Sequence, residues 1–214
     1  MPRFSDQYGE SYDRLASTYA ARLGDELRGK PLDRELLARL AAESRGTGLI
    51  CDVGSGPGHV ARFLADLGAA VIATDLSRGM MATARAVAPG MPLSVADMRQ
   101  MPFADASLAG ICALYSIIHI PPGERSYVFG EFRRVLRPGG AALVAFHLGD
   151  ESRRVDEMWG VPVAIDFHSL RADAIVAEMR DAGLAIEDEI ERAPYSGAEH
   201  PSRRGYVYAR RPGA

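Results

Sequence analysis

The stretch LICDVGSGPGH (residues 49–59) decides the fold of this chain. Residues 49–53 form a short apolar run of the kind that is typical of a buried parallel strand. The glycines that follow let the backbone approach a ligand closely, and a helix beginning near His59 would present free N–H groups to negative charge. Ligands in open parallel sheets bind at the carboxyl ends of the strands, so this loop predicts a nucleotide-type ligand at that edge.

Downstream of the glycine loop, apolar runs alternate with helical patterns. Strands are predicted at residues 49–53, 70–74, 93–96, 108–114 and 141–147, with a helix capped by Ser77 and another from about 124 to 136. Strands that alternate with helices predict an α/β fold, in which helices cover both faces of a mostly parallel sheet.

The N-terminal part of the chain carries helical patterns only. Residues 11–22 place tyrosines and leucines at helical spacing, and residues 31–43 do the same with leucines after Pro31. Residues 1–48 are therefore predicted to form a helical cap on a cofactor-binding core at 49–147.

The C-terminal third is organised differently. A helix is predicted from 169 to 182, followed by two half-exposed strands, 184–190 and 205–210, paired antiparallel at one edge of the sheet. Residues 148–168 show no clear periodicity and are interpreted as an insertion over the carboxyl edge. Residues 169–214 then complete a single domain.

Composition excludes several classes of protein. The chain has 214 residues, 47% of them hydrophobic and 25% charged, as expected for a globular protein. A net charge of -3 does not favour nucleic acid as a partner. No apolar run approaches the ~20 residues of a membrane span, and the N-terminus does not resemble a signal peptide. Cys51 and Cys112 lie in apolar runs, as reduced thiols of a cytoplasmic protein would.

Two carboxylates after predicted strands indicate which kind of nucleotide the glycine loop binds. Asp75 ends the second predicted strand, 19 residues after Gly56, where a carboxylate can accept hydrogen bonds from a ribose diol. Asp97 follows the third strand in the same way. A dinucleotide fingerprint requires a small residue where this chain has His59, and a P-loop requires a Gly-Lys-Ser/Thr sequence that is absent.

Taken together, these motifs resemble the class I S-adenosylmethionine-dependent methyltransferases. The resemblance rests on DVGSGPG, Asp75 in ATDLSRGMM, Asp97 in VADMRQMPF, the strand LAGICALYSIIH and the turn LRPGG, and covers residues 49–147. SYDRLASTYAARL also resembles the cap helix of members that act on small molecules. The resemblance implies a Rossmann-like seven-stranded sheet, mostly parallel, with an antiparallel last strand inserted beside its neighbours.

The resemblance also implies a binding site for S-adenosyl-L-methionine, which leaves as S-adenosyl-L-homocysteine. Gly54, Ser55 and Gly56 would line the methionine moiety and Asp75 would hold the ribose hydroxyls. The remaining cofactor contacts would be made by Leu76, Met80, Asp97 and Met98 near the adenine, Tyr115 and Ser116 near the methionine, and Tyr12 and Tyr19 from the cap.

A small organic acceptor, methylated on oxygen or nitrogen, is the expected substrate. His119 follows the fourth strand, where it could contact the acceptor and act as a general base. His147, Trp159 and His168 are further candidates for acceptor contact. No metal is expected, and the Asn/Asp-Pro-Pro-aromatic motif of nucleic-acid amino-methyltransferases is absent. A non-catalytic S-adenosylmethionine-binding protein and a nicotinamide-dependent oxidoreductase stay open as alternatives, and so does the oligomeric state.

Overall fold

The structure is a computed structural model that describes residues 4–197 and 199–213. Its helices are α1 (Phe4–Leu23), α2 (Pro31–Ser44), α3 (His59–Asp66), α4 (Arg78–Val87), α5 (Arg125–Val135) and α6 (Ala172–Asp181). Its strands are β1 (Leu49–Val53), β2 (Val71–Asp75), β3 (Leu93–Val95), β4 (Leu108–Leu114), β5 (Leu136–His147), β6 (Ser152–Met158), β7 (Val161–His168), β8 (Ala185–Arg192) and β9 (Arg204–Arg210). Short 3-10 helices lie at Glu26–Gly29, Ile117–His119 and Pro122–Glu124.

Seven strands form one sheet in the order β3-β2-β1-β4-β5-β9-β8. Neighbouring strands from β3 to β5 are parallel, whereas β9 runs antiparallel to both β5 and β8. The predicted architecture, a mostly parallel seven-stranded sheet with an inserted antiparallel last strand, is therefore confirmed. The order in which strands are added to the sheet reverses between β1 and β4, which is where ligands bind in open α/β sheets.

Apolar layers cover the two faces of this sheet. On one face, Phe129 and Phe132 of α5 pack with Ile175 of α6 against the central strands. On the other face, Leu37 and Leu40 of α2 pack with residues of α3. Full burial of side chains of this size stabilises the fold by about 1.5–3 kcal/mol each, which fixes the sheet whose carboxyl edge carries the site.

The predicted half-exposure of residues 205–210 is wrong. Tyr206 and Tyr208 are at most 2% exposed, because β9 lies inside the sheet between β5 and β8 and both of its faces are covered. The edge position belongs to β8, whose residues alternate between exposed and half-buried as predicted. Burial of β9 depends on the order of strands in the sheet, which the pattern of a single strand does not contain.

Residues 148–168 contain a β-hairpin that the sequence did not reveal. Strands β6 and β7 pair antiparallel with each other and form a separate two-stranded sheet. Val163 and Ile165 on one face pack with Leu15 of α1, while most of β6 is exposed. A strand with so small a buried face gives little of the alternation that sequence analysis detects.

The carboxylate of Asp13 joins the cap helix α1 to the start of α4. Asp13 Oδ1 accepts hydrogen bonds from Ser77 Oγ at 2.6 Å and from the backbone N–H of Gly79 at 2.7 Å. Ser77 itself caps α4 by accepting from the N–H of Met80. A Cβ at Gly79 would lie 2.8 Å from the Cα of Asp13, so the two helices meet at backbone distance.

Within the ranges that the structure describes, no helix combines the length and the apolar character needed to cross a bilayer.

Replacement of Asp13 by Ala should loosen this contact. The variant loses two short hydrogen bonds to the start of α4, and we expect its free energy of unfolding to fall by about 1–3 kcal/mol. Urea denaturation followed by circular dichroism measures the change. Glu10→Ala, an exposed site on the same helix, is the matched control and should stay within about 0.5 kcal/mol of the unmodified protein. Equal stabilities of the two variants would contradict this account of the cap.

Candidate active site

The glycine loop between β1 and α3 passes directly over the end of β4. Gly54, Gly56 and Gly58 have φ angles of 65°, 54° and 81°, a region that favours glycine. A Cβ at Gly54 would lie 2.4 Å from the Cβ of Ser116. Ser116 in turn donates from Oγ to the carbonyl of Val53 at 2.8 Å. The loop is thus held against β4 and leaves open space in front of it.

Asp75, at the end of β2, holds this loop from the side. Its Oδ2 accepts from the backbone N–H of Gly56 at 2.9 Å, and its Oδ1 accepts from that of Ser77 at 2.8 Å. Burial raises the pKa of Asp75 to about 6, although these hydrogen bonds lower it in part. The carboxylate therefore links the glycine loop to the start of α4 at the edge of the sheet.

Two adjoining cavities open in front of the loop, one of about 90 Å³ and one of about 830 Å³. The smaller cavity is lined by Asp75, Leu76, Met80 and Met98, all assigned to the cofactor from the sequence. Residues that line both cavities mark their junction: Tyr12, Tyr19, Gly54, Gly56, Leu114, Tyr115 and His119. The structure thus brings most of the sequence-predicted cofactor residues together around connected spaces.

Asp97 differs from the other residues predicted near the adenine, because its carboxylate is paired with an arginine. Its carboxylate accepts from the Arg99 guanidinium, with the Nη2–Oδ2 distance at 2.6 Å, and Arg99 also pairs with Glu124. Ala96 and Met98 line the smaller cavity, but Asp97 is not among its lining residues. A contact between Asp97 and an adenine amine stays a prediction.

Tyr12 and His119 form a hydrogen-bonded pair at the junction of the cavities. His119 Nδ1 lies 3.1 Å from the carbonyl oxygen of Asp166, which can only accept, so Nδ1 carries the proton. His119 Nε2 then accepts from the Tyr12 hydroxyl at 2.8 Å. Burial lowers the pKa of His119 to about 4, so that the ring is neutral at pH 7. The pair presents an unprotonated ring nitrogen at the junction.

Tyr115 is fixed by a buried network beyond the cavity wall. It adopts a φ of 56°, and its hydroxyl donates to Asp33 Oδ1 and lies 3.0 Å from the hydroxyl of Tyr206. Asp33 also accepts from Tyr206 and Arg192. These partners come from α2, β8 and β9, so the ring at the end of β4 is anchored by the opposite edge of the fold.

The β6–β7 hairpin and the cap helix meet over the mouth of the larger cavity. Trp159, at the tip of the hairpin, lies edge-on to Tyr19 with ring centroids 5.8 Å apart, and the Arg22 guanidinium lies over its ring. Trp159 remains 38% exposed. The hairpin thus closes one side of the space in which an acceptor would lie.

Every histidine of the chain lines the larger cavity. His147 Nδ1 lies 2.7 Å from Ser202 Oγ, and His168 Nδ1 lies 2.7 Å from Ser152 Oγ. Burial and the nearby Arg204 cation lower the pKa of His147 to about 3. Both predicted acceptor candidates therefore border the cavity, as does Trp159. Among the described residues, no group of three or more His, Cys, Asp or Glu side chains is arranged to hold a metal ion.

Sequence reasoning missed several polar residues that line the larger cavity, among them Glu26, Lys30, Asp52 and His59. Lys30 is the only lysine in the chain, and it is 4% exposed. Asp52 interrupts an otherwise apolar strand. A lone lysine and a charge inside a buried run were signals available in the sequence, whereas the approach of Glu26 to His59 depends on how the cap docks.

Comparison with known proteins agrees with this geometry. Residues 50–140 match a family model described as a methyltransferase domain. Methyltransferase GfsG of Streptomyces halstedii is 30% identical over 165 residues, which cover 66% of this chain and 58% of that protein. A demethylmenaquinone methyltransferase of Beutenbergia cavernae is 31% identical over 96 residues, covering 45% of this chain and 39% of that protein. The matched part of this chain therefore spans at most a little more than half of the length of these two relatives.

Among solved structures, geranyl diphosphate C-methyltransferase from Streptomyces coelicolor A3(2), in complex with Mg²⁺, geranyl diphosphate and S-adenosyl-L-homocysteine, shares the fold. The TM-score is 0.69 at 14% identity, and the match covers 98% of this chain and 99% of that one. Fold, motifs and family model define a Rossmann-like methyltransferase domain. Residues 50–140 are similar to a methyltransferase domain, and the chain shares its fold with solved S-adenosylmethionine-dependent methyltransferases.

The protonation state of His119 can be measured directly. We expect ¹⁵N NMR to show a proton on Nδ1, a neutral ring at pH 7 and a titration midpoint near pH 4. Because the unfolded chain binds this proton near pH 6.5, the ring should destabilise the folded state progressively as the pH falls from about 6.5 to about 4. The NMR signal is assigned to His119 by its disappearance in the His119→Asn variant. A midpoint near 6.5 would show that the ring is not buried in this way.

Proposed function

We propose that this chain transfers a methyl group from S-adenosyl-L-methionine to an oxygen of a small organic acceptor and releases S-adenosyl-L-homocysteine. The observation that carries the proposal is the Tyr12–His119 pair, with its unprotonated Nε2 at the junction of the two cavities. The similarity of residues 50–140 to a methyltransferase domain supports the reaction class. The identity of the acceptor does not follow from the relatives, because the chain spans only part of their length.

The smaller cavity suits the adenosine part of the cofactor. Asp75 offers carboxylate oxygens to ribose hydroxyls, and Leu76, Met80 and Met98 supply apolar surface for a flat base. Gly54 leaves room where any side chain would collide with Ser116. When bound, the cofactor supplies a methyl group already activated by its sulfonium. The protein then has to place an acceptor in line with that methyl and to exclude water.

His119 can take a proton through Tyr12, whose hydroxyl donates to Nε2. The acceptor's proton would pass to the Tyr12 oxygen as the Tyr12 proton passes to Nε2. His119 Nε2 is unprotonated at pH 7, and the Nδ1 hydrogen bond to the Asp166 carbonyl fixes the ring orientation. A base with a pKa of about 4 receives a proton from a phenol, of pKa about 10, at a cost of roughly 8 kcal/mol. From a group as weakly acidic as water, the cost is about twice as large. Phenolic, enolic or carboxylic acceptors are therefore favoured over alkyl alcohols.

The tests begin with the purified protein and S-adenosyl-L-homocysteine in a calorimetric titration. Micromolar binding is expected, and absence of binding to both this compound and S-adenosyl-L-methionine would refute the proposal. A panel of phenols, hydroxyquinones and carboxylic acids is then incubated with S-adenosyl-L-methionine, and methylated product is detected by mass spectrometry. Binding without transfer to any compound would favour the alternative of a non-catalytic cofactor-binding protein.

His119→Asn tests the role of the ring nitrogen. The amide can keep the hydrogen bond to the Asp166 carbonyl but has no counterpart of Nε2, so we expect turnover to fall by about 10²–10⁴-fold. The affinity for S-adenosyl-L-homocysteine should change less than about threefold, since the ring is not expected to hold the cofactor. A larger loss of cofactor affinity than of turnover would show that His119 contacts the cofactor and not the acceptor.

The pH dependence of nucleoside binding tests Asp75. Protonation below its pKa of about 6 removes an acceptor for the ribose hydroxyls, so affinity should fall as the pH decreases. With 5′-methylthioadenosine as ligand, the dissociation constant should rise about tenfold from pH 7.5 to pH 5. Asp75→Asn should bind about 10–100-fold more weakly at pH 7.5 and lose most of this dependence. An unchanged affinity in the Asp75→Asn variant would show that Asp75 has only a structural role.

A further inference from the structure

The outer edge of β7, in the two-stranded β6–β7 sheet, is bonded to side chains. Along residues 162–166, every second residue turns its backbone N–H and C=O away from β6. These residues are Pro162, Ala164 and Asp166, and because proline has no N–H they present five backbone groups. A two-stranded hairpin alone is at best marginally stable in water, so contacts along this edge help to hold it in place.

Helix α1 supplies partners for four of these five backbone groups. They are side chains on one face of the helix, within about two turns of each other: Gln7, Tyr8, Ser11 and Arg14. Two of them hold Ala164, whose carbonyl accepts from Gln7 Nε2 at 2.9 Å and whose N–H donates to Ser11 Oγ at 3.0 Å. Ser11 is fully buried and donates its own proton to the carbonyl of Gln7, so its oxygen is available as an acceptor.

Tyr8 holds the residue that orients His119. Its hydroxyl accepts from the N–H of Asp166 at 3.2 Å and lies 3.3 Å from Oδ2 of the same residue. Burial raises the pKa of Tyr8 to about 12, so the hydroxyl keeps its proton. The fifth backbone group, the carbonyl of Asp166, accepts from His119 Nδ1 at 3.1 Å. Asp166 therefore joins the cap helix to the ring of His119.

The carbonyl of Asp166 determines which nitrogen of His119 carries the proton. A neutral imidazole has one N–H, and its position follows the hydrogen bond that the ring makes. With this carbonyl in place the proton lies on Nδ1, and Nε2 accepts from the Tyr12 hydroxyl. If β7 shifts, the proton can lie on Nε2 instead, and that nitrogen then cannot accept. The contacts along the edge of β7 thus act on His119 through the backbone.

We propose that Tyr8 and Ser11 are positioning residues for His119: they hold the outer edge of β7 so that the Asp166 carbonyl keeps the proton on Nδ1 and leaves Nε2 unprotonated. The effect on catalysis rests on the proposed function, in which His119 takes a proton through Tyr12. The position of the proton is a property of the chain without ligand. The same contacts fix the hairpin that lines the larger cavity, so docking of the hairpin and orientation of the base are coupled.

The test locates the proton of His119 by ¹H–¹⁵N correlation NMR at pH 7.5 without ligand. In the unmodified chain we expect the proton on Nδ1 in more than about nine tenths of the molecules. In Tyr8→Phe and in Ser11→Ala, about one third or more should carry it on Nε2. Turnover of a phenol that the unmodified chain methylates should fall about 3–30-fold in both variants, while the affinity for S-adenosyl-L-homocysteine changes less than about threefold.

Ser17→Ala is the matched control for Ser11→Ala. It makes the same change at an exposed position of the same helix, so the proton position, turnover and affinity should stay as in the unmodified chain. Tyr8→Phe keeps the ring that lines the smaller cavity and removes only the hydroxyl. Hydrogen exchange on the unmodified chain needs no variant: the amides of Ala164 and Asp166 should exchange at least about 100-fold more slowly than in an unfolded chain.

A shift of the proton to Nε2 in both variants, but not in Ser17→Ala, would support the positioning role whether or not an acceptor has been found. Lower stability of both variants with the proton still on Nδ1 would show that the contacts are only structural, and would overturn that role. Rapid exchange of both amides would overturn it as well. None of these results decides the proposed function, which fails instead if the unmodified chain does not bind S-adenosyl-L-homocysteine or S-adenosyl-L-methionine.

Discussion

The site depends on the close approach of the glycine loop to the end of β4. At Gly54 the backbone comes so near to Ser116 that a side chain could not be accommodated, and its positive φ turns the chain away from β1. After that turn the backbone N–H of Gly56 donates to Asp75, and space is left between β1 and β4. Both cavities border on this loop, so their position follows from one steric constraint.

The cap covers part of this open edge. Helix α1 is fixed at one point by Asp13 on the start of α4, and on its other side it packs against the β6–β7 hairpin. Between these two attachments it places Tyr12 against His119. Neither the cap nor the hairpin belongs to the seven-stranded sheet, yet residues of both line the cavity in which methyl transfer is proposed.

The sequence predicted those parts of the site that topology determines. In a parallel sheet, the residue after each strand lies at the carboxyl edge, so Asp75 and Ser116 could be placed from strand order alone. The pairing of Tyr12 with His119 joins residues 107 positions apart and depends on how the cap docks. Asp97 was harder to predict, because its carboxylate pairs with Arg99, two residues further on. The sequence pattern does not show whether that carboxylate binds an arginine or a ligand.

Burial favours the neutral form of three ionisable groups of the site. It raises the pKa of Asp52 and of Asp75 to about 6, and it lowers the pKa of His119 to about 4, so each of them favours its neutral form more than it would in water. Such a site opposes the creation of new charge. In the proposed reaction no charge is created, since the positive charge lost by the sulfonium is regained as a proton reaches His119. Burial therefore disfavours ionisation of the acceptor before the methyl transfer. It favours loss of the acceptor's proton together with the transfer.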